Sequence, residues 1–171
     1  MRFVSTRGPE TAASLSRSIE EGLAPDGGLY VPERLPSVAP DDFAGAEDLP
    51  SIGVGLLRPF AAGDPLDSSL EEICREAFTF PAPLVALGRA PGRARVLELF
   101  HGPTSAFKDF GARFLAACLA RLRGDRKVTI LVATSGDTGA AVAAAFPRFP
   151  AGMTKRAGRP SSRRTRRLAC A

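Results

Sequence analysis

Two short stretches of the chain carry residue types at spacings that could do chemistry. The first is Ser105-Ala106-Phe107-Lys108-Asp109-Phe110-Gly111. Lysine occurs only at positions 108, 127 and 155 in this arginine-dominated chain. Lys108 opens an amphipathic stretch just after a loop, flanked by Phe107 and Phe110. The positive end of a helix dipole and apolar flanks both disfavour an ammonium ion. An amine placed there suits Schiff-base chemistry, which lysine performs and arginine cannot. A solvated surface lysine is the other reading. The second stretch is Thr134-Ser135-Gly136-Asp137-Thr138-Gly139. It follows an apolar run of strand length and opens a helix. Its glycines, hydroxyls and helix-start N–H groups could cradle an anion. In open α/β sheets, ligands bind where such loops leave the strands. It is neither a Walker loop nor GxGxxG, and it is equally a capped helix entry, with Ser135 or Asp137 as the N-cap. His101, the one histidine, lies on the loop before Lys108 and reads first as a surface residue.

The elements that must position these stretches follow from periodicity. Phe110, Phe114, Cys118 and Leu122 step by four, with Leu115 and Leu119 beside them. That predicts a helix from about Ala106 to Arg123 with a wide apolar stripe. Val128 to Ala133 is apolar throughout and predicts a strand buried on both faces, as parallel strands are. Arg95 to Leu99 predicts a short strand, and Ala140 to Phe146 a second helix. Strand–helix–strand–helix order argues for an α/β domain on a parallel sheet. Upstream, Ala12, Leu15, Ile19 and Leu23 predict a helix over Thr11–Gly22, stopped by Gly22 and Pro25. Asp26-Gly27-Gly28 is a turn, and Leu29-Tyr30-Val31 a strand ended by Pro32. Asp64 to Phe78 predicts a helix with Leu70, Ile73, Cys74 and Ala77 on one face. The rest of residues 41–95 is mixed.

Composition bounds the function. The chain has 171 residues, 44% hydrophobic and 24% charged, and can bury a core. No apolar run reaches the ~20 residues of a membrane helix, and the N-terminus has no secretory signal pattern. Cys74, Cys118 and Cys170 are scattered, which disfavours a disulfide scaffold or a zinc site and fits a reducing cytoplasm. The net charge of +5 is uneven. Residues 147–171 hold eight basic residues and no acid, whereas residues 1–146 hold 15 basic and 18 acidic residues. Any affinity for nucleic acid would therefore be nonspecific and confined to the tail.

Four segments, in order, resemble threonine synthases, pyridoxal-phosphate enzymes of the tryptophan-synthase-β-like group. They are Ser5-Thr6-Arg7-Gly8, Gly22 to Pro32 (GLAPDGGLYVP), Phe100 to Phe110 (FHGPTSAFKDF) and Thr134 to Ala141 (TSGDTGAA). The resemblance implies the N-terminal part of that fold, with an open parallel sheet. It divides the chain into an N-terminal region, 1–94, and the start of the cofactor-binding α/β domain, 95–146. It implies pyridoxal 5′-phosphate as cofactor and Lys108 as its Schiff-base lysine. Asp137 would sit beside the cofactor's 3′ oxygen. Thr134, Ser135, Gly136, Thr138 and Gly139 would hold the substrate carboxylate. The implied reaction takes O-phospho-L-homoserine and water to L-threonine and phosphate, by γ-elimination of phosphate and β-addition of water.

The likeness stops near Phe146-Pro147. Family members are more than twice as long, and their glycine-rich phosphate cup lies downstream. Residues 147–171 are rich in arginine, serine and proline and have no periodicity, so a disordered tail is expected there. Its composition reads as out-of-frame translation of a GC-rich coding sequence. The expectation is a truncated threonine synthase, cytoplasmic and inactive alone. The alternative is a non-enzymatic product whose tail binds anionic polymers. Neither a membrane nor a specific nucleic-acid partner is expected, and no oligomeric state follows from the sequence.

Overall fold

The first strands are set by a polar turn. In the computed structural model, β1 (Phe3–Ser5) pairs antiparallel with β2 (Gly8–Ala13) across Thr6-Arg7. The model describes residues 1–88, 94–124, 126, 128–134 and 136–146, and only the backbone of 154–156 and 168–170. Because β2 takes up residues to Ala13, the helix predicted from Thr11 starts later, as α1 (Leu15–Glu21). Ser14 caps it, its hydroxyl accepting the Arg17 N–H at 3.2 Å. Gly22 ends it as expected, with φ 71° and its N–H on the Ser18 carbonyl. β3 (Tyr30–Pro32) then pairs with the other side of β1. Asp26 Oδ1 accepts the Ser5 hydroxyl and the Gly28 N–H, each at 2.8 Å. Gly28 is needed there, since a Cβ would lie 2.1 Å from Ser5 Oγ. Two of the four motif segments are thus pressed against each other.

The mixed region contains a helix that its composition concealed. α2 (Leu49–Ala61) includes Pro50, Gly53, Gly55 and Pro59, all poor helix formers or breakers away from the first turn. Asp48 caps it, accepting the Ser51 N–H at 2.8 Å, and Pro50 occupies the first turn, where a missing N–H costs nothing. Gly53 lets the helix approach Phe78, whose ring would lie 2.7 Å from an added Cβ. The helix foreseen from Asp64 is a 3-10 turn, Asp67–Ser69, running into α3 (Leu70–Ala77). Its predicted apolar face is buried, with Leu70, Ile73, Cys74 and Ala77 at most 1% exposed. β4 (Leu84–Ala86) and β5 (Arg95–Leu97) form an antiparallel two-stranded ribbon.

α4 (Lys108–Leu122) is the centre of the packing. Its stripe divides between neighbours. Phe114, Cys118 and Leu122 pack with Ile73 and Leu66, while Leu115 and Leu119 pack with β6 (Thr129–Val132) and α5 (Asp137–Ala145). Ile19 of α1 touches both clusters, so residues upstream of 95 and downstream of it share one core. Arg113 binds α4 to the end of α3, donating to the Glu76 and Ala77 carbonyls at 2.7 Å each. The strand expected to be buried on both faces is mostly half-buried. Ile130 is buried against the helices, with the partly buried Val128 and Val132 packed beside it, and Thr129 and Leu131 are partly covered as well. β6 lies between β7 (Thr154–Arg156) and β8 (Leu168–Cys170), parallel to both. The remainder of the 147–171 tail, with the expectation placed on it, lies outside the described residues. Among the described residues, no helix is long and apolar enough to cross a membrane.

Candidate active site

The loop from His101 to Phe107 delivers Lys108 to the first position of α4. Phe107 is the N-cap residue and offers no side-chain hydrogen bond. The loop closes instead through Asp109, which is 1% exposed. Its Oδ2 accepts the Thr104 N–H at 2.9 Å and its Oδ1 the Thr104 hydroxyl at 2.8 Å. Gly102 lies flat against that carboxylate, and a Cβ there would be 2.4 Å from Oδ2. The Ser105 N–H reaches the Gly102 carbonyl at 3.1 Å. Ser105 has φ 55°, the left-handed region that disfavours a side chain. Loop, carboxylate and helix start therefore form one tightly turned unit.

Lys108 lines a cavity of about 690 Å³ with Leu99, Phe107, Phe110, Leu115, Thr138 and Val142. The wall is almost wholly apolar. Its polar lining residues are Thr138 and Lys108, whose Nζ stands 4.5 Å from the centre of the exposed Phe107 ring. Thr138 comes from the first turn of α5, so the cavity lies between the starts of two helices. Both helix dipoles present their positive ends there, and an anionic group would be favoured beside them.

The structure therefore brings Lys108 and Thr138 to one place. The other residues of the second motif shape the loop behind Thr138. Thr134 Oγ1 accepts the Gly136 N–H at 3.2 Å. Gly139 packs on Thr134, where a Cβ would meet Cγ2 at 2.5 Å, and its N–H reaches the Gly136 carbonyl at 3.0 Å. The cap expected from Ser135 or Asp137 is different. Gly136 is the N-cap residue, without a side-chain bond, and Asp137 lies in the first helical turn. An acid there still favours the helix through the dipole. Ser135 lies outside the described residues. His101 pairs with Glu98, Nε2 to Oε2 at 2.7 Å, and its ring lies 4.7 Å from Phe100.

Sequence reasoning placed Leu115 in the core stripe alone and Phe110 both there and beside Lys108, and both line the cavity. It attached no role to Asp109. The available signal was an acid next to the lysine, with Gly102 and Thr104 within a turn's reach upstream.

Comparisons with known proteins point to one family. The family model described as threonine synthase N terminus matches residues 2–78. Threonine synthase of Haemophilus influenzae is 43% identical over 148 residues, covering 85% of this chain and 34% of that protein. Among solved structures, threonine synthase from Escherichia coli superposes with TM-score 0.80 at 38% identity, over 92% of this chain and 36% of that one. A PLP-bound threonine synthase from Brucella melitensis superposes with TM-score 0.79 at 34% identity, over 92% of this chain and 35% of that one. The chain thus spans about a third of the length of the relatives it matches.

Proposed function

Because this chain belongs to the threonine synthase family through its N-terminal portion, we propose that it carries the lysine and the anion loop of a pyridoxal-phosphate-dependent threonine synthase site. The observation that carries this reading is that Lys108 and Thr138, from separate motifs, line the same cavity. Its residues fit the cofactor. The phenylalanines and aliphatic side chains suit a flat ring, a lysine stands at its edge, and helix starts face the cavity where negative charge would lie.

Pyridoxal 5′-phosphate, when bound, supplies an aldehyde for amino groups and an electron sink for carbanions. Lys108 is the amine that would hold it. Lys108 would also be placed to serve as base and acid for protons at Cα and Cβ of the substrate. Thr138, with Thr134, Ser135, Gly136 and Gly139 in the loop behind it, would hold the substrate carboxylate. Asp137 would be the residue toward the cofactor's 3′ oxygen. The apolar wall gives these transfers a low-polarity lining. The substrate is O-phospho-L-homoserine, which loses phosphate from Cγ and gains water at Cβ to give L-threonine. The fold is the N-terminal part of a tryptophan-synthase-β-like enzyme on an open parallel sheet, in the cytoplasm. With a third of the relatives' length, these 171 residues alone form negligible threonine.

The test is reduction with borohydride in the presence of pyridoxal 5′-phosphate, followed by peptide mapping. Label should concentrate on Lys108 over Lys127 and Lys155, and Lys108→Arg should remove it, because a guanidinium does not condense with the aldehyde. Label on Lys127 in preference to Lys108 refutes the assignment.

A further inference from the structure

We infer that Asp109 is a positioning residue for Lys108, a carboxylate whose two oxygens tie the incoming loop to the helix and so aim the neighbouring amine into the cavity. The inference rests on the reading of Lys108 given above.

Asp109 is buried, and among the described residues no cation pairs with it. A buried charge is expensive unless hydrogen bonds and dipoles compensate it. Here the compensation is local. Thr104 gives both its N–H and its hydroxyl, one to each oxygen, and the carboxylate lies in the first turn of α4, where the helix dipole favours an anion. Asparagine could keep both contacts, its oxygen accepting the Thr104 N–H and its amide donating to the Thr104 hydroxyl, whereas alanine removes both. An ordinary N-cap would have sufficed to start the helix, yet the N-cap position is Phe107, with no cap bond. The carboxylate therefore serves the loop as well as the helix.

The loop needs such a tie. Ser105 is held in the left-handed region, and a residue so placed persists only when its surroundings over-determine it. Here those surroundings are the Ser105 N–H on Gly102 and the Thr104–Asp109 pair on either side of it. When the tie is released, Ser105 can relax toward ordinary backbone angles. The start of α4 then shifts, and Lys108, as its first residue, shifts with it. Displacing a reacting group by about an ångström is enough to cost on the order of a hundredfold in rate.

The experiment measures the rate of pyridoxal 5′-phosphate labelling at each lysine of the 171-residue chain, trapped by borohydride and read by peptide mapping. Wild type, Asp109→Ala, Thr104→Val and Thr104→Ser are compared, with circular dichroism to verify folding. Asp109→Ala and Thr104→Val should each slow labelling of Lys108 about tenfold relative to Lys127 and Lys155. Thr104→Ser, which keeps both donors, should label as wild type does. Should Asp109→Ala fail to fold, Thr104→Val carries the test, because it removes a single donor. An unchanged Lys108 rate in folded Asp109→Ala or Thr104→Val overturns the inference, and so does equal slowing at all three lysines. A wild-type chain in which Lys108 labels no faster than the other two refutes the functional reading itself, an outcome distinct from both.

Discussion

Replacing Gly102 with alanine tests the loop–helix unit by a route that needs no cofactor. The added Cβ would lie 2.4 Å from Asp109 Oδ2, 2.8 Å from its Cβ and 2.9 Å from its Cγ. Real Cβ atoms do not approach so closely, so something must move. The oxygen alone could swing away, but the Asp109 Cβ is fixed to the backbone of α4. Overpacking of this kind costs about 1–3 kcal/mol. Swinging the carboxylate away breaks two bonds to a charged acceptor, each worth about 1.5–3 kcal/mol. The molecule takes the cheaper mixture, and we expect a loss of about 2–3 kcal/mol. For a chain of this size that lowers the thermal midpoint by roughly 5–10 °C, read by circular dichroism at the helix band. Gly111→Ala is the matched control. It lies in the same helix with nothing within 4 Å of its added Cβ, so alanine should gain about 1 kcal/mol of helix propensity and raise the midpoint. A Gly102→Ala protein that melts at or above wild type, beside a stabilised Gly111→Ala, would refute the close packing on which this reasoning depends.

Two further outcomes follow from buried groups. Burial pushes the Cys118 thiol up to about 12 and the Cys74 thiol up to about 11; near neutral pH a thiol-specific disulfide reagent should leave both peptides unmodified until denaturant unfolds the chain, and fast labelling of Cys118 in native buffer would contradict the packing of α4 on α3. Burial raises the Asp64 carboxyl, but bonds from the Ser16 hydroxyl, the Ser16 N–H and the Leu66 N–H outweigh it and hold it below its ordinary value of 3.8. Its folded value is depressed, so its contribution is present above pH 3.8 and is lost as pH falls through the folded value. Ser16→Ala should weaken that contribution and flatten this part of the acid-unfolding curve, and an unchanged acid limb would show that the Ser16–Asp64 contact carries no stability.

The parts of the molecule legible in the sequence were those where local pattern and tertiary demand agree. α3 buries its apolar face where expected, and in α4 Cys118 and Leu119 of the expected stripe are buried while Phe110, Phe114, Leu115 and Leu122 are half-buried. Gly22 stops α1 because its φ is positive there. α2 was hidden because Pro59, Gly53 and Gly55 argue against a helix, while tertiary contact with Phe78 and Phe43 at the two glycines overrides that propensity. The end of β2, from Thr11 to Ala13, reads as helix because Ala12 falls in phase with Leu15 and Ile19, and only pairing with β1 decides otherwise. At the site, Lys108 stood out by its rarity and its flanks. Asp109 did not, since its role depends on a loop folding back to present Gly102 and Thr104 to it, which no periodicity encodes.

The β4–β5 ribbon has a practical consequence. Leu84, Val85, Val96 and Leu97 are each more than 40% exposed, so apolar side chains stand on both of its faces. A two-stranded ribbon has no interior strand, and no described strand covers either outer edge. Unpaired backbone groups beside apolar side chains are a template for adding further strands from other molecules. Self-association through this ribbon would work against the solubility that a net charge of +5 provides. A lysine at Val85 or Leu97 would act as a gatekeeper, improving solubility without touching the cavity or its lysine.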